Sequence, residues 1–130
     1  MNKIETICII NDDEVYAFII KKTIEKLSIC KHITTFLNGE DAINSFKNIS
    51  NNLPDIILLD INMPVMDGWG FLKEFEALKL DKNMPIYLIS AHVSKNDNLK
   101  AISNKLVTDV LEDPTDSETL LRIISEVLVN

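Results

Sequence analysis

The stretch Asp55-Ile56-Ile57-Leu58-Leu59-Asp60-Ile61-Asn62-Met63-Pro64-Val65-Met66-Asp67-Gly68 decides how this 130-residue chain is read. Ile56 to Leu59 show no polar alternation, the pattern of a strand buried on both faces of a parallel sheet. Such a strand delivers Asp60 to its C-terminal edge, and the chain then turns through Ile61 to Gly68. In open α/β sheets, ligands and chemistry gather at those edges. A second apolar run, Ile7 to Ile10, stands in the same relation to Asn11-Asp12-Asp13-Glu14. Two strand-end carboxylates suggest a cation site.

Outward from these two runs, apolar segments and helical patterns alternate to both ends, which is the signature of βαβ units. The first strand is read over Thr6 to Ile10 and the first helix over Glu14 to Leu27, with Tyr16, Ile19, Ile20, Thr23 and Leu27 as its sheet-facing stripe. A second strand, Ile33 to Phe36, precedes the Asn38-Gly39 break and a helix carrying Ala42, Ile43 and Phe46; the polar cluster Asn48 to Pro54 ends it. A third helix is expected over Gly68 to Leu78, with Trp69, Leu72, Phe75 and Leu78 on one side. Pro85 opens a fourth strand, Ile86 to Ile89, that ends at Ser90. Ser94 and Asp97 form a capping-box pair for a polar fourth helix, Lys95 to Asn104. The fifth strand, Val107 to Leu111, ends at Glu112-Asp113-Pro114, and the last helix, Ser117 to Leu128, starts from a box-like Thr115 to Glu118. Five strands and five helices with right-handed crossovers make a three-layer α/β sandwich.

At 14.7 kDa with 46% hydrophobic residues, the chain is expected to be one domain over residues 1–130. A net charge of -7 and a pI near 4.7 argue against nucleic-acid binding, which needs clustered Lys and Arg for phosphate contacts. Met1-Asn2-Lys3-Ile4-Glu5 contains no apolar signal-peptide core and no apolar stretch approaches a membrane span, so a cytoplasmic location without membrane contact is expected. Cys8 and Cys30 have no metal-ligand spacing and read as packing residues.

Asp12, Asp60, Ser90 and the Asp113-Pro114 turn all fall at strand ends, where one edge of the sheet would gather them into a single site. Hard oxygen ligands of this kind suit magnesium, which keeps several waters and takes one or two carboxylates. Asp60 could then act as a covalent nucleophile toward a phosphoryl group.

The order of these residues closely resembles a response-regulator receiver domain over nearly the whole chain. The resemblance implies a flavodoxin-like sheet of order 2-1-3-4-5 and a stand-alone module that takes a phosphoryl group from a histidine kinase or phosphotransfer protein. It implies Asp60 as phospho-acceptor, Asp12 as the acidic magnesium ligand and Asn62 as a ligand through its backbone carbonyl. Pro64, Asp67 and Gly68 complete the family's loop, Ser90-Ala91 matches the switch hydroxyl and its neighbour, and Pro114 matches a proline that commonly follows a cis peptide bond. Output would come from binding a downstream protein, around the fourth helix, fifth strand and fifth helix.

Three positions depart from the pattern. Asn11 replaces the first of two acids and offers a magnesium-bound water a carbonyl oxygen without charge. Val110 replaces the aromatic whose rotation reads out the switch. Asp113 replaces the lysine that pairs with the acceptor, and at an effective dielectric near 20 reversing one charge about 4 Å away is worth on the order of 4 kcal/mol before screening. Lys95, just past Ser90, is left open as a substitute cation.

Plainer readings stand beside these. Asp12 and Asp13 could cap a helix, and Asp113 could face solvent in a turn. His92 reads as a solvated loop residue, Trp69 and Phe71 as packing residues, and Ser90 has no triad-like partners. The competing functions are a degenerate receiver that binds protein without phosphorylation and an aspartate-nucleophile phosphatase. The latter usually carries a second acid two residues after the nucleophile, where Asn62 stands.

Overall fold

The computed structural model describes residues 4–48 and 52–129. The chain runs β1(Ile4–Ile10), α1(Glu14–Leu27), β2(Cys30–Phe36), α2(Gly39–Lys47), β3(Ile56–Asp60), α3(Gly68–Leu78), β4(Ile86–Ser90), α4(Lys95–Ser103), β5(Val107–Glu112) and α5(Ser117–Val129). All neighbouring strands pair in parallel, in the order β2-β1-β3-β4-β5. Residues 49–51 of the expected Asn48 to Pro54 break lie outside the described residues.

Two apolar layers hold the helices to the sheet. Ile7, Ile9, Ile56, Leu58, Tyr87 and Ile89 face α1 and α5, whereas Cys8, Ile10, Ile57, Leu59, Ile86 and Leu88 face the side of α2, α3 and Ala101 of α4. Ile56 to Leu59 are at most 1% exposed, so the central strand is apolar on both faces because both faces are covered. Burying each such side chain contributes about 1.5–3 kcal/mol against leaving it in water. Phe46 meets Phe36, Phe71 and Phe75 edge-on, and Phe71 stacks on Phe75.

Several sequence boundaries move. β1 and β2 start earlier than expected because Ile4 pairs with Cys30 and Thr6 with His32. β2 is an edge strand whose Lys31 and His32 are exposed, so its first half lacked the apolar run that marks a central strand. The buried stripe of α1 is Ala17, Ile20 and Ile24, with Tyr16 and Leu27 partly covered; Ile19 lies outside it, 43% exposed. α5 buries Leu120, Ile123 and Ile124. Its first turn is bonded by Asp116, whose carboxylate accepts from the Thr119 amide at 2.8 Å, in place of the Thr115 to Glu118 box. The α4 box is present: Ser94 Oγ accepts from Asp97 N at 3.0 Å and Asp97 Oδ2 from Ser94 N at 3.3 Å.

One end of β3 is anchored by Asp55, which accepts from the Glu5 and Thr6 amides and from Lys82. At the other end, Gly68 N donates to Ile61 O at 2.8 Å, and a Cβ on Gly68 would stand 2.9 Å from both Asp60 O and Ile61 Cα. That close approach to backbone is what requires glycine. It seats the start of α3 directly against the residue that ends β3.

Candidate functional site

The parallel register brings the C-terminal ends of β1, β3, β4 and β5 to one edge. Asp60 is the last residue of β3, Ser90 the last of β4, and Asp12 stands two residues past the end of β1. Asp12 stands near enough to Asp60 for its charge to act on the Asp60 carboxyl. Burial, then the charge of Asp12, pushes the Asp60 carboxyl up to about 6, against partial relief from the Asn62 and Ile61 amides. Asn62 N donates to Asp60 Oδ1 at 3.3 Å.

Asn62 also donates through its side-chain amide to Ser90 Oγ at 3.2 Å. The Ser90 hydroxyl accepts from His92 N at 3.2 Å and donates to His92 O at 2.7 Å, so its proton points to backbone in this arrangement. The His92 ring is exposed and lies 3.7 Å from Glu112, outside the cluster, as its loop position suggested.

The two neighbouring acids have separate tasks. Asp13 is the N-cap of α1, where its carboxylate accepts from Val15 N and Tyr16 N at 3.1 Å each. Asp12 is left exposed beside Asp60. Asn11 is 2% exposed and its side-chain oxygen accepts from Asp13 N at 2.9 Å, which uses one of its two lone pairs to shape the loop that presents Asp12.

The turn after β5 departs from expectation. The peptide before Pro114 is trans, since the described residues contain no cis bond. Asp113 itself reverses the chain by adopting φ 47°, a left-handed conformation that aspartate tolerates better than most residues. Asp113 N donates to Ser90 O at 2.7 Å, and Asp113 O accepts from Thr115 N at 2.9 Å. The Asp113 side chain is exposed and accepts from Tyr16 Oη at 3.2 Å. Tyr16 was read from sequence only as part of an apolar stripe; its place on the first turn after the acidic loop is the signal that could have marked it. Val110 is half-buried against the α2–α3 side of the core, so β5 carries no aromatic there. Lys95 opens α4, and among the described residues no Lys, Arg or His forms an ion pair with Asp12, Asp60 or Asp113.

The donors fit magnesium in kind: a carboxylate pair whose mutual repulsion a dication would relieve, with a backbone carbonyl two residues on. Among the described residues no group of three or more His, Cys, Asp or Glu side chains is placed to hold a metal ion, so any ion here would take part of its coordination from backbone and water. A broad groove lined by Ile4, Asp55, Lys82, Pro85 and Tyr87 lies at the opposite end of the strands and contributes nothing to this cluster.

The model of the response regulator receiver domain family matches residues 7–125. The chain belongs to the response regulator receiver domain family. A sensor histidine kinase from Helicobacter pylori, CheAY, is 30% identical to this receiver domain over 115 residues, which are 88% of this chain and 14% of that protein. The receiver therefore spans only a small part of that curated relative. Among solved structures, a two-component response regulator from Cytophaga hutchinsonii is 25% identical, with a TM-score of 0.90 and coverage of 99% of this chain and 100% of that one. The receiver domain of the sensor histidine kinase PA1611 from Pseudomonas aeruginosa, described with a magnesium ion in its active site cleft, shares the fold at a TM-score of 0.80 and 23% identity, covering 97% of this chain and 98% of that one. No helix among the described residues is long and apolar enough to cross a membrane.

Proposed function

We propose that this receiver domain accepts a phosphoryl group on Asp60 and signals by protein binding in the cytoplasm. The observation that carries the reading is the Asp12–Asp60 pair, two carboxyls brought together at a sheet edge with burial and mutual repulsion holding Asp60 at about 6. Asp12, Asp60 and the Asn62 carbonyl would hold magnesium, with Asn11 contributing at most through water. When bound, the ion supplies positive charge against the phosphoryl oxygens and the carboxylates. The magnesium described for the Pseudomonas neighbour supports this.

In the transfer, an Asp60 carboxylate oxygen attacks phosphorus and forms an O–P bond as the P–N bond of a phosphohistidine donor breaks, its electron pair returning to the donor ring. Asn62 N–H steadies the other Asp60 oxygen. Ser90 must turn its proton from His92 O to meet the phosphoryl group, which makes it a switch hydroxyl. The donor would be a histidine kinase or phosphotransfer protein, in keeping with the kinase relative. No turnover of a separate substrate is assigned to the chain, and nucleic acid and membrane are not proposed as partners.

Asp113 favours one alternative, a receiver that binds protein without phosphorylation, because an acid stands where a cation would stabilise the phosphoryl group. Intact-mass measurement after incubation with a small phosphodonor and magnesium separates the two. The reading expects a gain of one phosphoryl group in the natural chain and none in Asp60→Asn. No gain in the natural chain, or a gain retained in the variant, overturns it.

A further inference from the structure

α1 and α5 share one face of the sheet, with their buried residues in one apolar cluster. β1, which leads into α1, and β5, which leads into α5, are separated in the sheet by β3 and β4. A bond from the first turn of α1 to the turn after β5 therefore lies at the edge of the sheet where β3 and β4 end in Asp60 and Ser90, and the charge of Asp60 acts on the Tyr16 hydroxyl. Tyr16 Oη to Asp113 Oδ1, at 3.2 Å, is such a bond. Thr23 reaches the same turn further along α1, at 3.4 Å to Thr115 O.

The phenol stands among Asp113, Asp60 and Asp13, none of which forms an ion pair among the described residues. Burial first, then Asp113, Asp60 and Asp13, raises its ionisation well above the ordinary tyrosine range, so it remains an O–H donor at neutral pH. Asp113 Oδ1 accepts that hydrogen bond now. An anion bound on Asp60 would present a second set of acceptors to the same hydroxyl, and a phenolic O–H turns between them by rotation about one bond.

We propose that the Tyr16 hydroxyl is the hydrogen-bond donor that holds a phosphoryl-like anion on Asp60, and that Asp113 is the competing acceptor that limits its availability. The inference rests on Asp60 being the acceptor, and it assigns to a neutral α1 side chain the contact for which, among the described residues, no cation is paired with Asp60. Asp113 then acts in two ways, by direct repulsion of the anion and by occupying the donor.

The test is beryllofluoride affinity at saturating magnesium, read from Trp69 fluorescence or amide shifts, for the natural chain, Asp60→Asn, Tyr16→Phe, Asp113→Ala and the Tyr16→Phe/Asp113→Ala double variant. Binding by the natural chain and its loss in Asp60→Asn establish the acceptor independently of Tyr16. Tyr16→Phe keeps the ring packing and should weaken the mimic about tenfold, the loss of one hydrogen bond to a charged acceptor. Asp113→Ala should tighten it, and by a clearly larger factor when Tyr16 is present than when Phe replaces it, because only the tyrosine has a hydroxyl to release. Circular dichroism and magnesium affinity should match the natural chain in Tyr16→Phe. Mimic affinity in Tyr16→Phe within twofold of the natural chain, or an equal gain from Asp113→Ala in both backgrounds, overturns the Tyr16 assignment while leaving Asp60 in place. No mimic binding by the natural chain overturns both.

Discussion

Asp60→Asn should make the fold more stable at neutral pH, in the absence of divalent cations. Asp60 is held at about 6, against 3.8 for an ordinary aspartate, and that difference corresponds to about 3 kcal/mol if fully expressed. Asp60 is only half-buried, so solvent screening reduces the expected effect to on the order of 1–2 kcal/mol. The pH dependence follows from the direction of the shift. Below 3.8 the carboxyl is protonated in folded and unfolded chains alike and costs nothing; between 3.8 and about 6 the unfolded chain ionises first and stability falls; above about 6 the full penalty is present. The amide removes the penalty and retains an oxygen for the Asn62 N–H that now meets Asp60 Oδ1 at 3.3 Å. Urea unfolding followed by circular dichroism and Trp69 fluorescence, at about pH 7.5 and about pH 4, measures both limits. The variant should gain 1–2 kcal/mol, about 3–8 °C in Tm, at the higher pH and little at the lower. A variant no more stable than the natural chain near pH 7.5, or one whose advantage is the same near pH 4, would refute the argument that burial and Asp12 destabilise the charged Asp60.

Magnesium should produce a localised change in Trp69 fluorescence and in amide shifts around Asp60, with an apparent dissociation constant in the millimolar range expected of a site of few oxygen ligands; no change up to tens of millimolar would count against the ligands named. Gly68→Ala should destabilise the fold by about 2–4 kcal/mol, because its Cβ would meet the backbone of Asp60 and Ile61 at 2.9 Å; chemical denaturation within 1 kcal/mol of the natural chain would show that the loop can yield. Asp113→Lys should tighten beryllofluoride by on the order of 1–4 kcal/mol, and less at high salt, since it removes a repulsion and adds a cation at the rim; an affinity equal to that of the natural chain at both low and high salt would place this residue outside the electrostatic reach of Asp60.

The central strand could be read from sequence because Ile56 to Leu59 are covered on both faces, a condition that leaves an uninterrupted apolar run. The carboxyl at its end was legible for the same reason, whereas Gly68 stood out only through the family's loop pattern and its close approach to Asp60 and Ile61 came from the structure. The edge strand β2 was half missed, because Lys31 and His32 face water and its first residues are held by pairing with Ile4 and Thr6 rather than by burial. In α1 a helical period identified the element, yet it left the rotation of the helix open by one residue, and only packing against α5 and the sheet selected Ala17, Ile20 and Ile24.

The candidate site divides along the same line. Residue types and order determined that Asp12, Asp60, Ser90 and Asp113 fall at strand ends, because strands alternate with helices along the chain and so all run the same way, an alternation that the apolar pattern records. The tertiary structure alone decided what those side chains do there. It trans-linked Pro114 and turned the chain at Asp113 instead, it set the Ser90 hydroxyl against His92 O, and it raised Asp60 by setting Asp12 beside it within a partly desolvated edge. It also carried Tyr16 from α1 to the turn after β5, a contact across 97 residues of chain. Periodicity reports which face of an element is apolar. A hydrogen bond between distant elements depends on register, helix rotation and the left-handed backbone of one residue, and these exist only once the layers have packed.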